Sequence, residues 1–331
     1  MSSSRTDQDR ERIRHPRIAQ IIDDVQLMLD AGRNSSLLMI SGPTGVGKTT
    51  LGKYLVEAEL DQQMAAIAAD PGFVPAIRVE APSSGEKEFS WRMFYENILT
   101  ALDGEFSSPR QAYGVDAATG RVVRPLGPQT HRLAGLRTAV ERSLRERRTR
   151  FVVVDEAAHM MRQCNPHQLE RQLDTLKSLS NQCGVQWVLL GSYDLFELMS
   201  LSGQLARRTH VMHFSRYRQD DAGDVQVFKA CLKHLSSRMP ALKNLDLLPF
   251  AENFQSNTLG CIGTLRDVLE RLDRLVSDRG WTEQTLCSAL MTETQVNRIL
   301  QEVLEGAERI APGLHRSLNL NKRQQLSKKI A

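Results

Sequence analysis

Hydrophobic residues in the first part of the chain follow two alternating patterns. Short runs that are apolar almost throughout predict β-strands, and longer segments with an apolar residue every three or four positions predict α-helices. The predicted strands are residues 36–40, 73–80, 151–154, 184–190 and 211–214. The predicted helices are residues 16–30, 49–60, 91–99, 129–148 and 169–179. This alternation favours an α/β fold, in which a parallel sheet is flanked by helices.

The pattern changes after Tyr217, where the strand-like runs stop. Helical spacing continues at residues 225–235, 242–254, 261–275 and 296–304, which predicts a small helical lid after the sheet. We therefore expect a charged arm at 1–16, an α/β domain at 17–217, a lid at 218–306 and a basic tail at 307–331. Residues 104–128 are rich in Gly, Pro and Ser, and they predict a long surface loop.

A glycine-rich segment lies between the first predicted strand and the helix that follows it. It fits the pattern Gly-x4-Gly-Lys-[Ser/Thr] at Gly42, Gly47, Lys48 and Thr49. Its backbone N–H groups and the helix N-terminus would cradle phosphates, Lys48 would reach the β- and γ-phosphates, and Thr49 would help hold Mg²⁺. The predicted phosphate-binding residues are Gly42, Pro43, Thr44, Gly45, Val46, Gly47, Lys48, Thr49 and Thr50.

Two carboxylates follow the strand predicted at 151–154. Open α/β sheets bind ligands at the carboxyl ends of their strands, which is where Asp155 and Glu156 would emerge. Asp155 would hold the metal through its water shell, and Glu156 would orient and polarise an attacking water. A strand that merely ends in two acids is the alternative. With the phosphate loop upstream, the pair predicts an ATPase that uses ATP and Mg²⁺.

Other polar residues are candidates for contacts with the nucleotide. Ser192 follows the strand predicted at 184–190 and is a candidate sensor of the γ-phosphate. Arg207 and Arg208 are either surface residues or the source of an arginine that a neighbouring subunit supplies to the phosphates. Arg266, at the start of a predicted lid helix, is positioned to turn back toward the nucleotide.

Composition narrows the class of protein only slightly. A net charge of +4 does not by itself indicate a nucleic-acid partner, and the arginines at 137–150 fit either a solvated helix face or a phosphate-binding surface. The five cysteines include no Cys-x-x-Cys pair, which favours reduced thiols. Residues 1–17 have no apolar segment, and no apolar run approaches the length of a membrane span, so we expect a cytoplasmic protein with no membrane partner.

The motifs and their order resemble the AAA+ ATPases over residues 17–275. Residues 42–49 and 152–156 carry this resemblance most specifically. It implies an AAA+ core with a phosphate-binding loop, followed by a helical lid. It also implies that Ser192 is sensor one, that Arg207 is the arginine finger and that Arg266 is sensor two.

A narrower resemblance lies in residues 154–159, 188–192 and 204–208. These segments are similar to the ATP-dependent target-selection regulators of bacterial DNA transposons, the TnsC, TniB and MuB-like proteins. The resemblance implies a homo-oligomeric ring or filament on double-stranded DNA in a bacterial cytoplasm. It further implies recruitment of a transposase, contact with a target-selector protein, and disassembly driven by ATP hydrolysis. Arg208 departs from the pattern, because many of these proteins have an aromatic residue there.

The candidate DNA contacts are Lys87 and Arg92, between the second predicted strand and the next helix. In similar initiator-type AAA+ proteins this segment faces a central channel. Cations repeated around a spiral would contact backbone phosphates, so we expect sequence-tolerant, salt-dependent binding to double-stranded DNA. Two alternatives stay open: a replication-initiator or helicase-loader-like AAA+ ATPase, and a signalling or secretion AAA+ ATPase that binds protein.

Overall fold

A five-stranded parallel sheet forms the centre of the molecule. The computed structural model describes residues 14–30, 37–83, 89–103, 114–115, 122–123, 133–160, 166–196 and 209–310. The sheet strands are β1 (Leu37–Ser41), β2 (Ala76–Glu80), β5 (Phe151–Asp155), β6 (Gln186–Gly191) and β7 (Thr209–His213). Their spatial order is β2-β5-β6-β1-β7, and every neighbouring pair is parallel. The predicted parallel sheet is confirmed.

Helices cover both faces of this sheet and also form the unit that follows it. In chain order they are α1 (Pro16–Asp30), α2 (Lys48–Gln62), α3 (Met64–Ala69), α4 (Trp91–Asp103), α5 (Leu133–Glu146), α6 (Pro166–Cys183), α7 (Ala222–Ser236), α8 (Ala251–Asn257), α9 (Ile262–Arg279), α10 (Glu283–Ala289) and α11 (Glu293–Ile310). Leu38 and Ile40 of β1 pack in the core under α1 and α2, and Leu37 and Met39 pack in the opposite core under α4, α5 and α6. Alternate residues of β1 therefore pack into two different hydrophobic cores, which explains why almost the whole strand is apolar.

The segment predicted as a long loop at 104–128 contains two short strands. They are β3 (Gly114–Val115) and β4 (Val122–Val123), which pair antiparallel. The sequence did not predict this ladder, because two-residue strands are too short to show a period of two. The rest of residues 104–128 lies outside the described residues.

The residues after β7 form a helical unit with its own core. Phe228, Phe254, Leu265 and Leu269 are buried in it, as expected from their helical spacing. The helix predicted over 242–254 is wrong in its first part, where turns and a short 3-10 helix (Leu248–Phe250) precede α8. Pro249 lies in this segment, and proline has no N–H with which to continue an α-helix.

Polar contacts fasten the helical unit to the start of α1. Arg17 Nη2 lies 2.6 Å from Asp224 Oδ2, and His15 Nδ1 lies 2.7 Å from the Tyr217 hydroxyl. The Tyr217 amide donates to Gly260 O at 3.0 Å. These contacts position α9 over the carboxyl edge of the sheet. In the part of the chain that the structure describes, no helix combines the length and hydrophobicity needed to cross a membrane.

Candidate nucleotide-binding site

The glycine-rich segment forms a tight turn between β1 and α2. Gly45 has φ of +77° and Gly47 has φ of +112°, values in the left-handed region that favours glycine. The helix begins directly afterwards, at Lys48. A turn of this kind directs successive N–H groups inward and adds the positive end of the helix, which is how such loops hold phosphates.

Lys48 lies at the mouth of this loop. Its Nζ donates to Gly42 O at 2.9 Å and to Pro43 O at 2.8 Å. Burial lowers the pKa of Lys48, and the carboxylates of Glu156, Glu302 and Asp155 act in the opposite direction. An ammonium group held among carboxylates and carbonyls is positioned to meet a triphosphate.

Asp155 and Glu156 end β5 close to the loop. The Asp155 side chain is buried, and its Oδ2 lies 3.0 Å from Arg78 Nη1. Its Oδ1 accepts from the Glu156 amide at 3.0 Å. Glu156 has φ of +50°, an uncommon value for a residue with a side chain, and such strained residues cluster at functional sites.

A polar cavity of about 650 Å³ brings most of the predicted nucleotide contacts together. This volume lies within the range of ligand-binding pockets. Its lining includes Thr44, Gly45, Gly47, Lys48, Thr49, Thr50, Glu156, Ser192 and Arg266. Gly42, Pro43, Val46 and Asp155 are buried just behind that lining.

The residues predicted to hold magnesium fit that ion. Thr49 is exposed and lines the cavity, and Asp155 is buried at the end of β5. Magnesium in proteins is held by one or two carboxylates together with substrate phosphates and waters. Among the described residues, no cluster of three or more His, Cys, Asp or Glu could hold a metal ion by itself. The oxygen donors present therefore suit a metal that arrives with its nucleotide.

The predicted sensor residues face the cavity from two sides. Ser192 Oγ donates to Asp194 Oδ2 at 3.0 Å, directly after β6. Arg266 projects from the first turns of α9, with its Nε 3.2 Å from Glu270 Oε1 in a geometry that makes no hydrogen bond. Each residue therefore has a short-range anchor and lies on the edge of the same cavity.

The first turn of α9 lies directly on the phosphate loop. The Thr264 amide donates to Gly45 O at 3.1 Å. A Cβ at Gly263 would lie 2.5 Å from Gly45 O, and a Cβ at Gly45 would lie 2.0 Å from Thr264 Oγ1. Glycine at both positions permits this approach, so the lid position and the loop conformation are mechanically coupled.

Two parts of the site were missed by sequence reasoning. Arg78 lies in the middle of the strand Ala76–Glu80, and its position between the apolar residues Ile77 and Val79 was the available signal. Helix α11 contributes several polar residues to the cavity: Arg298, Gln301, Glu302, Glu305 and Arg309. Its helical spacing was recognised, but spacing does not show which distant surface a helix contacts.

The remaining predicted residues are placed only in part. Lys87, Arg207 and Arg208 lie outside the described residues. Arg92 is exposed near the start of α4, and its Nε lies 3.1 Å from Glu96 Oε1. The roles of Lys87, Arg92, Arg207 and Arg208 therefore stay predictions.

Several arginines of the arginine-rich segment at 137–150 form ion pairs within the chain. Arg137 pairs with Glu141, Arg142 with Glu146, and Arg150 with Glu59 and Asp30. Carboxylates of the same chain already face these guanidinium groups. This arrangement favours the solvated helix face over a phosphate-binding surface.

Comparisons with solved structures find a similar fold in proteins of Aeropyrum pernix and Pyrobaculum aerophilum. The Aeropyrum pernix ORC2 protein, solved in ADPNP–ADP complexes, is 15% identical with a TM-score of 0.51, over 84% of this chain and 67% of that one. CDC6p from Pyrobaculum aerophilum is 17% identical with a TM-score of 0.52, over 81% and 64%. The Aeropyrum pernix ORC1 protein in complex with DNA is 14% identical with a TM-score of 0.51, over 82% and 63%.

These likenesses show the fold alone, and the chain spans about two thirds of the length of those proteins. A comparison with curated proteins finds no match. A family model described as an AAA domain matches residues 29–199, just over half of the chain. The matched region contains the phosphate loop, the Asp155–Glu156 pair and Ser192. The chain therefore belongs to the AAA domain family, a nucleotide-binding ATPase fold that typically uses ATP with Mg²⁺.

Proposed function

We propose that this protein is a Mg²⁺-dependent ATPase that assembles on double-stranded DNA and regulates DNA transposition. The observation that carries the ATPase proposal is the convergence of Lys48, Glu156, Ser192 and Arg266 on one cavity. Segments separated by more than 200 positions meet there, and each supplies a group that phosphoryl transfer requires.

The roles of the residues follow from their positions. The loop amides and Lys48 bind the β- and γ-phosphates, and Thr49 and Asp155 hold Mg²⁺. The metal, when bound, neutralises charge on the phosphate oxygens. Glu156 accepts a hydrogen bond from the attacking water and orients it, and Ser192 contacts the γ-phosphate. Arg266 couples the position of the lid to the state of the nucleotide, because α9 rests on the phosphate loop.

The position of the γ-phosphate end of the site supports an oligomer that has ATP between its copies. Thr49, Glu156 and Ser192 mark that end on the surface of the α/β domain. Arg207 of a neighbouring copy, with Arg208 as the alternative, neutralises charge on the transferring phosphoryl group. ATP then links neighbouring copies, and hydrolysis loosens the assembly.

The DNA and transposition parts of the proposal rest on motif resemblance. The segments at 154–159 and 188–192 are similar to those of transposon target-selection regulators. Lys87 and Arg92 of successive copies supply a cationic track for backbone phosphates. The ATP-bound assembly recruits a transposase and contacts a target-selector protein.

A replication-initiator-like ATPase is the second candidate function. The likeness to the archaeal ORC2, CDC6p and ORC1 structures favours it. Binding to one particular DNA sequence would support the initiator, whereas equal binding to unrelated duplexes supports the transposition regulator.

The test compares Glu156→Gln and Lys48→Ala in ATP turnover and in assembly on DNA. We expect Glu156→Gln to bind ATP but to lose about 100- to 10,000-fold in turnover, the usual contribution of a positioned base. Electron microscopy should then show long-lived oligomers on DNA. Lys48→Ala should neither bind ATP nor assemble. Double-stranded DNA should stimulate turnover by the unsubstituted protein.

Equal assembly by both variants would refute the proposed ATP dependence. If DNA leaves ATP turnover unchanged and a protein partner stimulates it, the protein would instead be a signalling or secretion ATPase. For the transposition claim, a transposase should be retained on DNA with Glu156→Gln and ATP, and should be lost with ADP.

A further inference from the structure

The last described helix, α11, lies along the γ-phosphate end of the nucleotide cavity. Its polar residues recur at helical spacing on the side that lines the cavity: Arg298, Gln301, Glu302, Glu305 and Arg309. Thr49, Glu156 and Ser192 line the same cavity. One chain therefore covers its own γ-phosphate end with a helix that begins more than 240 positions after the phosphate loop.

A close contact between Gly306 and Tyr193, called the seat of α11 below, holds the helix in this position. Gly306 lies against the ring of Tyr193, where a Cβ would be 2.1 Å from the ring atoms Cδ2 and Cγ. The ring is itself held, because the Tyr193 hydroxyl lies 3.1 Å from His213 Nε2 on β7. Val303, one turn earlier, is only 3% exposed. Any larger residue at 306 would have to lift the helix or displace a ring that is anchored to the sheet.

Charge on α11 also faces the phosphate loop. Burial lowers the pKa of Lys48 and raises the pKa values of Tyr193 and Cys261, and the Glu302 carboxylate acts upward on all three. Glu302 lines the same cavity as Lys48. It therefore faces the space that a nucleotide's phosphates and a neighbour's arginine would share.

This position conflicts with the assembly described under the proposed function, on which the present inference rests. A neighbouring copy must bring Arg207 to the γ-phosphate end that Thr49, Glu156 and Ser192 mark. Helix α11 covers the same end in the single chain. A neighbour that docks at that end would therefore meet α11.

We propose that the surface under α11, centred on Tyr193 and Ser192, is the docking surface for a second copy of this chain. In the isolated chain α11 occupies that surface in cis. Assembly requires α11 to leave its seat on Tyr193. The helix therefore sets the protein concentration at which ATP-dependent assembly begins.

Substitution at the seat tests this proposal. Gly306→Gln keeps a helix-compatible residue but places side-chain atoms against the Tyr193 ring. We expect it to assemble with ATP and Mg²⁺ at about tenfold lower protein concentration, a change of about 1.4 kcal/mol, measured by analytical ultracentrifugation. Glu308→Gln is the control, since Glu308 is exposed on the same helix and does not line the cavity. It should assemble like the unsubstituted protein.

A second measurement needs no substitution. Backbone amides of residues 298–309 should be protected from hydrogen exchange in the isolated chain and should lose protection when ATP drives assembly. Glu302→Gln combined with Glu305→Gln should also lower the assembly threshold, by about threefold, because the acidic face is removed. If Gly306→Gln fails to fold, the hydrogen-exchange experiment still tests whether α11 leaves its position when the protein assembles.

An unchanged threshold in folded Gly306→Gln would overturn the inference, as would full protection of α11 in the assembled protein. Either result leaves the proposed function standing, because the unsubstituted protein would still assemble with ATP. Failure of both the unsubstituted protein and Glu156→Gln to assemble would overturn the proposed function and the inference with it.

Discussion

The contact between the lid helix α9 and the phosphate loop makes Gly263 a sensitive position. A Cβ there would lie 2.5 Å from Gly45 O, a backbone atom that cannot rotate away. We predict that Gly263→Ala separates the helix from the loop. The Thr264 amide, which donates to Gly45 O at 3.1 Å, would move with it.

The magnitude follows from two opposing terms. Replacing glycine by alanine in a helix is worth up to about 1 kcal/mol in favour of folding. Overpacking against fixed atoms costs about 1–3 kcal/mol. Gly223→Ala is the matched control, because Gly223 is also the second residue of a lid helix, α7, and its Cβ would meet only the Asp221 carboxylate, at 3.1 Å.

Gly263→Ala should therefore be less stable than Gly223→Ala by about 2 kcal/mol, which is about 3 °C in Tm for a chain of this size. Its affinity for ATP should fall about tenfold, because the displaced carbonyl belongs to the phosphate loop. Thermal unfolding and isothermal titration calorimetry measure these two quantities. If both variants have the same Tm and the same affinity, the lid and the loop are not coupled through this contact.

Two further substitutions test other contacts. Arg92→Ala should weaken binding to unrelated DNA duplexes and reduce the salt slope of log K by about one. Arg142→Ala, which changes another exposed arginine in an i,i+4 ion pair, should alter neither quantity. Fluorescence anisotropy across salt concentrations measures both quantities, and equal effects of the two variants would exclude a specific role for Arg92. Arg150→Met should lower the free energy of unfolding by about 3 kcal/mol, measured with urea, because it removes the guanidinium that pairs with the buried Glu59 carboxylate. Adding Glu59→Gln should recover most of that free energy. No recovery in the double variant would refute the ion-pair explanation.

The phosphate loop and its strand are determined by local sequence. Gly45 and Gly47 permit left-handed backbone, and Lys48 begins a helix directly after them. The apolar run of β5 ends in two carboxylates because a buried strand excludes charge until it reaches the sheet edge. Such features depend on neighbours within a few positions, so they can be predicted without knowing the fold.

Other parts of the site depend on which segments become neighbours in space. Arg78 meets Asp155, 77 positions later, because β2 pairs with β5 in a register that aligns Glu80 with Asp155. Nothing in the spacing of either strand specifies that pairing. The strand order β2-β5-β6-β1-β7 is likewise a property of the packed sheet.

Helix α11 is the clearest example of the difference between features set by local sequence and features set by tertiary packing. Its amphipathic spacing alone indicated a helix, since the 3.6-residue period is a local property of the chain. Its place beside Tyr193 depends on the absence of a side chain at Gly306 and on an aromatic ring 113 positions earlier in the chain. The phosphate loop, the carboxylate pair and the parallel sheet could all be predicted from local patterns of residues. The segments that cover them could not be predicted, because the contacts of a surface are set by packing between distant segments.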